Sequence, residues 1–110
     1  MRYKRRYVLL SLDNVGNGED PEKMLFFTLN KMDPLLSIKS NFRVIKELTR
    51  SGGGKAVLVV SVNNEFKDHV IFVLSLIGKF YKSNMLTIKI SGSLKKLKEE
   101  ENKIWNHPEI

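Results

Sequence analysis

The chain contains no cysteine. That absence removes disulfides, thiolate metal sites and cysteine nucleophiles together, and it fits a reducing cytosol. Histidine is nearly as scarce. Only His69 and His107 occur, and neither stands in a metal-ligand spacing such as H-E-x-x-H. A lone histidine makes no catalytic site by itself. Long apolar runs are missing too: the longest, "VIFVLSLIG" (residues 70–78), falls well short of the ~20 residues that span a bilayer. The start, "MRYKRRYVLLSL", is basic and then apolar, the outline of a secretory signal. Its apolar part is only five to six residues long and no small-residue cleavage site follows, so it reads as a strand. These absences lead to the expectation of a cytoplasmic protein without a membrane segment.

What is present is enough for one domain, residues 1–110, with a single core: 42% of the residues are hydrophobic. The net charge is +7, and it is unevenly placed. Arg2, Lys4, Arg5 and Arg6 crowd the first twelve residues with no acid among them, whereas residues 13–38 carry five acids against two lysines. A small basic domain with localised cations points to a polyanion, most often nucleic acid.

Periodicity predicts the elements. "RRYVLLSL" (5–12) alternates, with Val8, Leu10 and Leu12 on one face and Tyr7 and Leu9 on the other. Asp20 as N-cap and Pro21 at the first helical position open a helix whose stripe is Leu25, Leu29, Met32 and Leu36. Asp33-Pro34 ends or kinks it, and a short turn follows. "FRVIKELTR" (42–50) reads as a strand, "SGGG" (51–54) as a turn, and "KAVLVVSV" (55–62) as a strand covered on both faces. Asn63 or Asn64 then caps a helix to about Tyr81, with Phe66, Val70, Val73, Leu74, Ile77 and Phe80 along it. "NMLTIKIS" (84–91) alternates Leu86, Ile88 and Ile90 against polar residues, and a last helix carries Leu94, Leu97 and Ile104 on one side. The tail 105–110 reads as loosely docked. The order β-α-β-β-α-β, an antiparallel four-stranded sheet followed by a C-terminal helix, predicts an α+β sandwich of the ferredoxin-like, split βαβ type.

Several catalytic readings fail on chemistry. "RSGGGKA" (50–56) lacks the Ser or Thr of a phosphate loop and leads into a strand, not a helix. "DNVGNGEDPE" has no arginine, which argues against the small phosphatases of similar topology. Glu99, Glu100 and Glu101 read as a run on one solvated helix, not a convergent pair. The "KAVLVVSV" strand has no aromatic residue on which to stack bases as RNA-recognition motifs do. Its aliphatic open face calls for cover by the C-terminal helix, by a protein partner, or by both.

Two basic stretches remain. Lys4, Arg5 and Arg6 precede a buried strand, as an arm anchoring phosphates would. In "KISGSLKKLKEEENK" (89–103), Ser91, Gly92 and Ser93 turn a strand into a helix that opens with Lys95, Lys96 and Lys98. A helix N-terminus disfavours cations by about 0.3–1 kcal/mol each. The pairs Lys95–Glu99 and Lys96–Glu100 also run in the weaker order, lysine first. A phosphate backbone bound at this junction accounts for that placement. Arg50 and Lys55 are looser candidates.

"KRRYVLLSL", "KDHVIFVLSLI" and "LTIKISGSLKKLKEE", taken in order, resemble the small archaeal ribonuclease P protein known as component two, related to a eukaryotic subunit that also serves the ribonuclease processing mitochondrial RNA. The family's closing motif V-S-G-T-I-K-R-L-K is similar to "ISGSLKKLK", residues 90–98, and the resemblance runs from Lys4 to about Glu101. It implies a non-catalytic RNA-binding subunit. The RNA would remove the 5′ leader of precursor tRNA, using magnesium ions held on that RNA and not on this chain, so no cofactor is expected here. The implied partners are the ribonuclease P RNA and the TIM-barrel component three, with self-association in a heterotetramer. The implied RNA contacts are Lys4, Arg5, Arg6, Ser91, Gly92, Ser93, Lys95, Lys96 and Lys98. Family members commonly carry cations where the third strand meets the second helix; here that corner is "SVNNEFKD" (61–68). The alternatives are a general RNA- or ribosome-binding domain of ferredoxin-like topology, which shares the charge evidence but not the closing motif, and a small ligand-binding regulatory dimer, which predicts no affinity for a polyanion.

Overall fold

The central strand is apolar on both of its faces, and the rest of the chain is arranged to cover it. In the computed structural model, which describes residues 4–106, β4 (Lys55–Asn63) is buried continuously from Ala56 to Val62. β1 (Arg5–Leu12) pairs with it antiparallel, from Arg5 opposite Asn63 to Leu12 opposite Ala56. β5 (Met85–Ser91) pairs antiparallel with the other side of β1. β2 (Arg43–Val44) and β3 (Arg50–Gly52) lie along the remaining side of β4. The open sheet is therefore antiparallel, in the order β2-β4-β1-β5, with β3 beside β4.

The alternation of β1 divides the core in two. Val8, Leu10 and Leu12, with Leu58, Val60 and Val62, meet α1 (Pro21–Met32), the single turn α2 (Leu36–Lys39) and α3 (Lys67–Leu74) through Leu25, Leu29, Leu36, Val70 and Leu74. Leu9, Val57 and Val59 face the opposite way and meet α4 (Leu94–Asn106) through Leu97, with Leu94 and Ile104 beside it. Helices on both faces explain why β1 and β4 are apolar at both parities. The start of α1 follows the sequence expectation: Asp20 accepts a hydrogen bond from the Glu22 N–H at 3.0 Å and Pro21 stands at the first position. Pro34 keeps Asp33 extended, and α2 restarts beyond it.

Five expectations need correction. The strand expected over 42–50 is broken by a 3-10 turn at Lys46–Leu48, which drops Leu48 into the α4-side core, so the sheet has five strands among the described residues instead of four. The helix expected from Asn63 or Asn64 to Tyr81 is regular only over α3, with 3-10 turns at Asn64–Phe66 and Ser75–Lys79 on either side, and no side chain among the described residues caps it. The "SGGG" turn narrows to Gly53 and Gly54, whose φ values of 62° and 80° make a two-residue hairpin of the type that favours glycine. Met32 and Phe80 lie exposed, Phe80 edge-on to Phe27 at 5.5 Å. Along β5 the register slips between its partners Leu9 and Leu10; Ile88 packs inward while Leu86 and Ile90 are exposed on this outer strand. The arm before Lys4, with Arg2 and Tyr3, and the tail beyond Asn106, with His107, lie outside the described residues, as do the side chains of Trp105 and Asn106.

A further correction falls on the glutamate run. Glu101 sits one helical turn after Leu97, so it shares the core-facing stripe and is fully buried. Its Oε2 is 2.8 Å from Arg50 Nε, while the same guanidinium donates to Asn102 Oδ1 at 2.7 Å. The Arg50–Glu101 contact is close but poorly aligned, and neither carboxylate oxygen has a hydrogen-bond partner among the described residues. It therefore acts as a coulombic contact. Burial raises the carboxyl pKa from its ordinary 4.5, and Arg50 offsets part of that rise. A pKa raised by folding means that this group's contribution to stability is full below 4.5 and is lost as the pH climbs through the raised value.

Glu101→Gln should therefore gain stability relative to the natural chain as the pH rises from about 4 toward 7, read from urea midpoints at each pH. Arg50→Met strands the buried carboxylate. It should cost on the order of 1–3 kcal/mol at neutral pH, less than a fully buried pair because Arg50 is partly solvated. Combining it with Glu101→Leu should restore most of the loss.

Candidate nucleic-acid interface

The sheet's pairing brings both basic stretches to the same end. Tyr7 stands opposite Ser61 on one side and Ser91 on the other, and Ser61 stands opposite Arg43. Directly paired residues share a face, so Arg43, Ser61, Tyr7 and Ser91 form one row across the sheet on its α4 side. The start of β1, the ends of β4 and β5, and the start of α4 all converge here.

The expected contacts have different environments. Lys4 is exposed just before β1, and its carbonyl accepts from the Asn64 N–H at 2.7 Å. Arg5 is spoken for internally: Nε donates to Ser61 Oγ at 2.7 Å, Nη1 to Asn63 Oδ1 at 3.4 Å and Nη2 to the Asn41 carbonyl at 2.9 Å. The end of β4, where Ser61 and Asn63 stand, thus receives a cation from β1. Arg6 points to the opposite face. Its Nη1 donates to the Arg5 carbonyl at 3.1 Å and lies beside Gly92, where an added Cβ would stand 3.3 Å from it. Glycine at this position leaves the guanidinium room against the backbone.

Ser91 Oγ accepts from the Ser93 N–H at 2.9 Å, a local turn that carries the chain from β5 into α4. Lys95, Lys96 and Lys98 are exposed, with no carboxylate within 4.0 Å among the described residues. The pairs expected with Glu99 and Glu100 do not form; Glu100 turns instead to Lys89, 3.7 Å away. Helical phase separates the three lysines. Lys95 and Lys98 border a groove against Ile45 and Leu48, while Lys96 shares its side with Glu100.

Arg50 is committed to Glu101, and Lys55 lies at the far end of the sheet beside the glycine-bearing loops. Neither joins the cluster. Arg43 and Tyr7 do join it, although the sequence alone does not single them out as site residues. Only the strand register, which aligns Arg43 with Ser61, reveals Arg43. His69 is exposed with Nε2 3.4 Å from Asp33 Oδ2, a contact between α3 and the end of α1, and no group able to hold a metal ion occurs among the described residues.

Arg5→Gln breaks a three-way anchor, so it should lower stability by about 1–3 kcal/mol and speed amide exchange at Asn63 and Asn64. Lys4→Gln should change neither. Denaturant unfolding with hydrogen exchange separates the two. Compared with known proteins, the chain matches no family model, and no curated protein is significantly similar to it in sequence.

Proposed function

We propose that the chain is a non-catalytic, RNA-binding subunit of ribonuclease P of the component two type, working in the cytoplasm, and that its fold is the ferredoxin-like split βαβ with an added C-terminal helix. The fold reading is supported by the strand order, once β2 and β3 are taken as one interrupted strand on the edge of β4. The functional reading rests on the ordered resemblance of "KRRYVLLSL" and "ISGSLKKLK" to that family. The observation that carries it is the seating of Arg6 against Gly92, beside the Tyr7–Ser91 pair. Two segments far apart in sequence, both basic and both within the resemblance, meet at one end of the sheet.

Within this reading Arg6, Lys95, Lys96 and Lys98 bind phosphates and Arg5 holds the arm in place. Cations there neutralise the close-packed phosphates of a folded RNA, which lowers the magnesium concentration the RNA needs for its active fold. The RNA performs the cleavage. Component three and a second copy of the assembly remain the proposed partners. Component three requires a surface other than the aliphatic sheet face, since Leu97 and its neighbours fill that face.

Reconstituted with a ribonuclease P RNA and component three, the chain should raise precursor-tRNA cleavage most at low magnesium, and alone it should cleave nothing. No gain at any magnesium concentration rejects the proposal. Enrichment of many unrelated RNAs, with no gain in cleavage, favours the general RNA- or ribosome-binding reading. Replacing Lys95, Lys96 and Lys98 with Gln should reduce the slope of log affinity against log salt by roughly 0.7–0.9 for each phosphate no longer neutralised.

A further inference from the structure

The groove between α4 and the Lys46–Leu48 turn is not needed to explain the phosphate contacts. It is lined by Ile45, Glu47, Leu48, Leu94, Lys95 and Lys98 and has a volume of about 450 Å3. That lies within the ~300–1,000 Å3 of small-molecule sites, which likewise combine apolar walls with a few placed polar groups. The groove exists because the edge strand is interrupted. The Leu48 N–H and Thr49 Oγ1 both donate to the Ile45 carbonyl, at 3.1 and 3.0 Å, and this closes the turn whose Leu48 reaches the core.

We propose that this groove receives one unstacked nucleotide of single-stranded RNA, its base against Ile45, Leu48 and Leu94 and its phosphates on Lys95 and Lys98. The inference rests on the RNA-binding reading and adds a ligand class to it. Charge complementarity selects the occupant. Glu100 and Glu101 pair with Lys89 and Arg50, so Lys95 and Lys98 face the groove with no carboxylate within 4.0 Å among the described residues. The apolar walls require a base freed from stacking, because a duplex keeps its base faces covered. Glu47 decides between a nucleotide and an acidic peptide. A carboxylate in the lining accepts a hydrogen bond from an exocyclic amino group such as cytosine N4, a donor that the acidic and apolar side chains of such a peptide do not offer. On that edge uracil presents O4, an acceptor that the carboxylate repels, so the site should prefer cytosine over uracil.

The test uses the full chain and fluorescence anisotropy with oligocytidylate, oligouridylate and a duplex of equal length. Oligocytidylate should bind about 3–10-fold more tightly than oligouridylate, the worth of one such hydrogen bond. Glu47→Gln, an exposed position, should shrink that preference to within about twofold, because its amide oxygen is a weaker acceptor than the carboxylate. Lys98→Gln should weaken both single strands. Photocrosslinks from a 4-thiouridine placed within oligocytidylate should map to residues 45–48 and 94–98. Equal affinities with crosslinks confined to residues 4–6 and 91–93 would overturn the groove proposal and leave the RNA-binding reading standing. No binding of these oligonucleotides or of ribonuclease P RNA would remove both. An acidic amphipathic peptide that occupies the groove without displacing RNA would also overturn it.

Discussion

The docking of α4 on the second face of the sheet is the constraint on which the rest depends. Leu97 closes over Leu9, Val57 and Val59. Without it, β1 and β4 would expose an aliphatic surface at the centre of an open sheet, and such a surface associates or aggregates. The same docking fixes the start of α4 beside the start of β1, places Lys95 and Lys98 along the edge-strand turn, and buries Glu101 beside Arg50. Fold and candidate site are thus set by one packing event. The buried carboxylate is its weak point, because its charge is compensated only by a partly solvated arginine.

The reversed charges of α4 take on a definite form in three dimensions. Local helix physics gives no reason for lysines in the first turn and glutamates behind them. The fold supplies a use for two of the glutamates: Glu100 meets Lys89 on β5 and Glu101 meets Arg50 on β3, so each ties α4 to a different strand of the sheet. Among the described residues the lysines meet no carboxylate, and they stand at the end where the N-terminal strand brings Arg6. The order is therefore a division of labour along the helix, with anchoring in its middle and free cations at its start.

Much of the architecture was legible in the chain. The limits of β1, the cap and start of α1, the double-sided burial of β4 and the stripe Leu94, Leu97 and Ile104 follow from period and from Asp20-Pro21. The nine basic-arm and closing-motif candidates were legible as types, but not their roles. Arg5 became an internal anchor because Ser61, Asn63 and Asn41 converge on it, and no local pattern encodes that meeting. The broken edge strand was hidden for a similar reason: "FRVIKEL" satisfies strand propensity, and tertiary docking of Leu48 overrides it. The burial of Glu101 did carry a signal, since it continues the Leu94–Leu97 stripe at helical spacing. A charged residue in that position reads as solvated unless a partner is known.

If the arm and the closing motif form one RNA-binding surface, RNA covers both at once. Amide hydrogen exchange on the full chain, with and without the catalytic domain of a ribonuclease P RNA, tests it most directly. A single surface requires added protection at residues 5–7 and 91–98 together, and none in the glycine loops at 14–18 and 51–55. Protection confined to those loops, or to only one of the two basic segments, would contradict it.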